Sequence, residues 1–218
     1  MSRFQARGAP PLIWAMTGAF LVIEAALWLS DTGVLPFADL RWQAYLNFAF
    51  FDLYFEAFLE GLELPAWWWV GFLSHAFLHG GWMHVILNSV VFLALGGFIC
   101  RNIGAARFLA LFVVSALAGS LTFGLLAETN GPMVGASGAV FGFFGATKRW
   151  EWRWIRATGA SAQQFRASLI GLLVVNLALA FLWPGEGGLA WEAHLGGFIG
   201  GWLIAPVLAP GVAARSPI

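Results

Sequence analysis

The chain alternates long apolar runs with short clusters of turn-forming residues. Crossing the hydrocarbon core of a bilayer takes about 20 helical residues, with roughly 17 to 25 observed. Six stretches fit: Pro11 to Ser30, Trp82 to Cys100, Gly104 to Ala127, Val134 to Trp150, Ser168 to Trp183 and Ala190 to Ala209. Between them stand Gly80-Gly81, Asn102, Asn130-Gly131-Pro132 and Pro184-Gly185, which punctuate helices. The pattern predicts an all-α membrane protein: one six-helix bundle over residues 11–210, a cytoplasmic segment at 1–10 and a cytoplasmic tail at 211–218.

The connector from Asp31 to Leu73 differs from the others, being long and not plainly polar. Phe48, Phe50, Phe51, Tyr54, Phe55 and Phe58 interleave there with Asp52, Glu56 and Glu60. Acids four apart beside aromatic neighbours predict one or two short amphipathic helices in the outer interface. Trp67-Trp68-Trp69 would then sit at headgroup depth. A loop packed on protein and a loop embedded in lipid fit this pattern equally well.

Composition strengthens the membrane assignment. Hydrophobic residues make up 60% of the chain and charged ones 10%, against about 25% charged in a soluble domain. Tryptophan, at 13, far outnumbers tyrosine, at 2, and glycine reaches 27; both fit aromatic belts and close helix contacts in lipid. The single Cys100 excludes an intramolecular disulfide. A net charge of zero without a basic run gives no sign of nucleic-acid binding. The first apolar run is too long for a signal-peptide core and lacks a cleavage site, so it reads as a retained span.

Charge then orients the bundle. With six spans, Arg3, Arg7, Arg101, Arg107, Lys148, Arg149, Arg153, Arg156, Arg166 and Arg215 share one side, leaving only Arg41 of the 11 basic residues opposite. The positive-inside rule puts that side, and both termini, in the cytoplasm.

Polar groups inside a membrane are costly and mark function by default. Three of the four histidines, His75, His79 and His84, crowd the head of the second span, and His194 opens the sixth. The fourth span begins with Gly135-Ala136-Ser137-Gly138. Ser137 therefore falls near a helix start, where unpaired N–H groups favour an anion beside its hydroxyl. Taken alone, Gly138, Gly142 and Gly145 also read as a packing face with Ser137 as one more small residue.

His194 shifts the balance. Gly197 and Gly201 share its helical face, and that smooth face can approach the Gly138/Gly142 face until the backbones nearly touch. Ser137 and His194 then meet at similar depth, as a nucleophile and base must. His84 and Asn88, at i and i+4, stack on one face; with the Ser137 N–H they would make an oxyanion hole, although a buried Asn can equally be interhelical glue. His75 and His79 are placed to brace the loop. No Asp or Glu stands ready to orient His194, so a dyad is expected.

His75, His79, His84 and Asn88, Gly135-x-Ser137-Gly138, and Ala193-His194-x-x-Gly197-x-x-x-Gly201 together resemble the rhomboid family of intramembrane serine proteases. The resemblance runs from Ser74 to Leu208. It implies a six-transmembrane-helix bundle with a water-filled cavity, Ser137 attacking, His194 taking the proton, and His84, Asn88 and the Ser137 N–H holding the oxyanion. It implies no metal or cofactor, and single-span membrane proteins as substrates, cut near the outer end of their span. The six-span form and the absence of an organellar targeting segment point to a bacterial inner membrane.

Three positions depart from the family pattern. Phe141 stands where many bacterial rhomboids have a Tyr packed on the histidine. Val70-Gly71 replaces a common Trp-Arg pair, and Cys100 replaces a frequent acid, which leaves the anchoring of the first loop open. The alternative function is a catalytically inactive relative that binds transmembrane clients, although such relatives usually lack the serine or the histidine. A metal site on His75, His79 and His84 would want a further ligand, and the paired interrupted spans of a transporter are not evident.

Overall fold

The structure, a computed structural model, describes residues 8–129, 131–182 and 189–209. Arg3, Arg7 and Arg215, Asn130, Trp183, Pro184-Gly185 and the tail expected at 211–218 lie outside these residues.

Helix α1 covers Pro11–Asp31, with Pro11 at the first position, where a missing N–H costs nothing. Short helices α2 (Leu40–Phe48) and α3 (Asp52–Leu59) follow. Helix α4 runs over Trp82–Ile103 with a π-helical turn at Phe92–Gly96, and α5 over Ala105–Leu126. The last three are α6 (Ser137–Thr158), α7 (Gln163–Leu182) and α8 (Trp191–Leu208).

By length and composition, α1, α4 and α5 are able to cross a membrane. The others are less uniformly apolar: α6 ends in Lys148, Arg149, Glu151, Arg153 and Arg156, and α8 carries Glu192, His194 and four glycines. The fourth apolar run does not become helical at Val134, as expected, but at Ser137. Pro132–Met133 pairs as a strand with Phe50–Phe51, Phe50 opposite Met133, and Gly135 has φ +119°, which holds the backbone out of the helix. That helix also continues past Trp150 to Thr158. A Lys148–Glu151 ion pair at 2.6 Å supports its charged turns, and Gly159 ends it with φ 72°.

Helix α8 is wedged between two neighbours. On one face Gly197 abuts the Gly138 carbonyl and Gly201 the Gly142 carbonyl. One residue round the helix, Gly196 abuts the Ala118 carbonyl of α5, and a Cβ on Gly200 would lie 2.7 Å from the Ala118 methyl. Two glycine pairs, each at i and i+4, let α8 touch α5 and α6 backbone to backbone. The main core, with Phe20, Phe92, Phe108, Phe112 and Phe143 all buried, fills the space among α1, α4, α5 and α6.

The first loop is packed on protein. Phe50, Phe55 and Trp68 bury themselves against Phe123 of α5, with Phe50 and Phe72 rings 4.8 Å apart. The spacing of Asp52, Glu56 and Glu60 predicts a short amphipathic helix in the outer interface; Asp52 is buried and accepts the Thr129 N–H at 2.7 Å. Anchoring comes from Arg41, which holds the fully buried Glu24 of α1 with both guanidinium ends, at 2.8 and 3.2 Å. It also reaches Asp31 at 2.6 Å and the His79 carbonyl at 3.0 Å. Burial alone would lower the Arg41 pKa, but the bonds to Glu24, Tyr45 and Asp31 raise it overall.

Candidate active site

Ser137 is the first residue of α6, with Ala136 before it at non-strand φ −73° and ψ −1°. Its hydroxyl therefore stands among the unpaired N–H groups of a first helical turn. His194 lies in the first turn of α8, 3% exposed. The glycine contacts bring these two helix starts together, and both residues line one cavity of about 880 Å³. Among the described residues no hydrogen bond joins the Ser137 hydroxyl to His194.

His84 and Asn88 line the same cavity from α4. The Gly80 N–H donates to His84 Nδ1 at 3.2 Å. In the neutral ring this leaves the proton on Nε2, making Nε2–H the outward donor. His84 Nε2 lies 2.6 Å, and Ser137 Oγ 3.7 Å, from the place where a Cβ on Gly135 would stand. Glycine at 135 thus keeps open the space between imidazole and hydroxyl, besides tolerating its positive φ. Asn88 donates one amide proton to the His84 carbonyl at 3.0 Å, which leaves its second for the cavity.

Phe141, one turn into α6, stacks on the His194 ring at 4.1 Å and 6°. His75 and His79 sit behind the cavity and have structural contacts. His75 Nδ1 donates to the Gly71 carbonyl at 2.9 Å, and the Gly135 N–H donates to the His75 carbonyl at 2.9 Å. The His79 carbonyl takes the Arg41 and Tyr45 donors, and its ring lies 5.1 Å from that of His84. Burial pushes His75 down to about 4 and His79 to about 3, the latter also through His84, so both are neutral at pH 7. Among the described residues no three His, Cys, Asp or Glu side chains converge on a common metal position.

One contact was absent from the sequence reading. His194 Nδ1 meets Asn176 Oδ1 of α7 at 2.6 Å. The only available signal was compositional: Asn176 is the one amide or charged residue of α7 after Ser168, and polar groups in apolar helices are suspect by default.

The rhomboid domain model matches residues 66–211. The chain belongs to the rhomboid family. The matched stretch holds His84, Asn88, Ser137, Phe141, Asn176 and His194. Similar curated proteins include RHOMBOID-like protein 5 of Arabidopsis thaliana, 33% identical over 143 residues, 62% of this chain and 43% of that protein. The putative rhomboid protease YdcA of Bacillus subtilis is 28% identical over 145 residues, 66% of this chain and 69% of its own length. The rhomboid protease GlpG of Yersinia pseudotuberculosis is 32% identical over 149 residues, 65% of this chain and 48% of that protein. This rhomboid therefore spans less than half the length of the Arabidopsis and Yersinia relatives. Family and apolar helices together make it a multi-pass membrane protein.

Proposed function

We propose that this rhomboid is an intramembrane serine endopeptidase with six spans, formed by α1 and α4 to α8, and both termini in the cytoplasm of a bacterium. Its substrates are single-span membrane proteins, cut near the outer end of the span. The observation that carries the proposal is the common cavity of Ser137 and His194, reached from two helix starts whose glycine faces touch.

The chemistry follows from the groups in place. Ser137 Oγ attacks the scissile carbonyl carbon while its proton passes to His194 Nε2. Negative charge develops on the carbonyl oxygen, where His84 Nε2–H, the Asn88 amide and the Ser137 N–H supply donors. The tetrahedral species collapses, the C–N bond breaks, and His194 returns the proton to the leaving amine. Water then attacks the acyl-enzyme through the same base, releasing the new carboxylate and restoring Ser137. Named proteases among the relatives support this reading.

Cleavage of a fluorescent single-span substrate in proteoliposomes tests it. The wild type should yield two fragments whose new ends map near the outer edge of the span. His84→Ala and Asn88→Ala should each lower kcat by about 10²- to 10³-fold with little change in KM, the range for an oxyanion donor. Unchanged kcat in both would remove them from the oxyanion site. Capture of the intact substrate without fragments would favour the client-binding alternative.

A further inference from the structure

Resting on His194 as the base, we propose that Asn176 is a positioning residue: it holds the His194 ring in the tautomer that leaves Nε2 free to take a proton. A carbonyl oxygen can only accept. The 2.6 Å contact between Asn176 Oδ1 and His194 Nδ1 therefore puts the imidazole proton on Nδ1. Nε2 keeps its lone pair, the state a general base requires.

The surroundings of the ring make this contact decisive. Phe141 lies flat against it at 4.1 Å, which sets the plane of the imidazole. Stacking does not choose which nitrogen faces the cavity, because a ring turned over within that plane stacks equally well. Phe141 has no hydroxyl with which to make the choice. The buried His194 thus has a plane set by α6 and a tautomer set by α7. Asn176 does for this ring what a buried carboxylate does in a serine-protease triad, without placing a second charge in an apolar setting.

The placement of Asn176 on α7 supports the assignment. Phe165, Ser168, Leu169, Leu172, Asn176 and Leu179 share one helical face and form the less exposed stripe of that helix. Ile170, Leu173, Val174, Val175 and Leu177 on the remaining faces are each more than half exposed. Only two residues of the inner stripe offer polar side chains. Ser168 meets Lys148 of α6 at 2.7 Å, and Asn176 meets His194. A lone amide whose oxygen ends on the imidazole is poorly explained as general helix glue.

The test pairs Asn176→Leu, which keeps the branched outline and removes the acceptor, with Asn176→Asp, which keeps the acceptor. The expected loss of kcat for Asn176→Leu is about 10- to 100-fold with KM within about twofold. That is smaller than the roughly 10⁴-fold loss on altering a triad aspartate, because a neutral acceptor fixes the tautomer without stabilising the imidazolium charge. Asn176→Asp should recover most of the rate. Independently of turnover, ¹⁵N shifts of histidine-labelled protein should show His194 as the Nδ1–H tautomer in the wild type and as a mixture in Asn176→Leu. An Nε2–H wild-type ring, a tautomer unmoved by Asn176→Leu, or Asn176→Asp no better than Asn176→Leu would each overturn the proposal. Were Ser137→Ala to retain cleavage, the protease reading would fail instead, and the nitrogen shifts would still decide the role of Asn176.

Discussion

Helices α8 and α7 both lie against α6, one carrying the His194 imidazole and the other bonded to it, yet they are held in opposite ways. Helix α8 is fixed chiefly by backbone contact: Gly197 and Gly201 abut the Gly138 and Gly142 carbonyls, and the Trp150 side chain adds one bond from Nε1 to the Ala205 carbonyl at 2.9 Å. Helix α7 is held by side chains, through Lys148 to Ser168 and Asn176 to His194, while most of its surface is exposed. In the proposed mechanism the base is thus carried on the closer contact and its orienting partner on the looser one. Under that proposal, the distance between nucleophile and base is set by backbone contacts and the proton state of the base by a side chain.

Substitutions at matched positions separate the two kinds of contact. Gly201→Ala should have the largest effect, because the new methyl must displace the Gly142 backbone. Overpacking of this sort costs about 1–3 kcal/mol, and a shift of His194 by about 1 Å would cost about 10²-fold in rate. Thermal unfolding in detergent and cleavage rate should fall together. A Tm equal to wild type would mean that the helices are less closely seated than described.

Trp150→Phe should cost about 1 kcal/mol, the value of one hydrogen bond. The Ala205 carbonyl keeps its helical partner, the Ala209 N–H. Ser168→Ala should cost less, about 0–1 kcal/mol, since its Lys148 contact is only partly buried. Similar losses for these two variants would erase the contrast between α8 and α7. Gly171→Ala on α7 is the counterpart of Gly201→Ala. Its methyl would meet nothing within 4 Å, so helix propensity should stabilise the protein slightly, by up to about 1 kcal/mol. Destabilisation there would show that α7 is seated more tightly than its exposure indicates.

The sequence predicted best wherever the physics is local. Helix ends fell within a few residues of Gly80-Gly81 and Gly104 because turn chemistry acts over a few positions. The faces of Gly197 and Gly201 were visible because helical periodicity places them together. Contacts between distant segments were not visible. Val134 looked like helix because its apolar run gives no sign that Pro132–Met133 pairs with Phe50–Phe51 eighty residues earlier. The Arg41–Glu24 pair joins a loop helix to the middle of a span, with no spacing rule to connect them. Asn176 was hidden for the same reason. Eighteen residues and a helix end separate it from His194, and no spacing rule links a neutral amide to an imidazole across them.

The most direct measurement of the central claim is fluorophosphonate labelling of the purified protein in detergent, with the adduct mapped by mass spectrometry. A single adduct on Ser137 is expected, abolished by Ser137→Ala and strongly slowed by His194→Ala. An adduct at another residue, or labelling undiminished by Ser137→Ala, would contradict it.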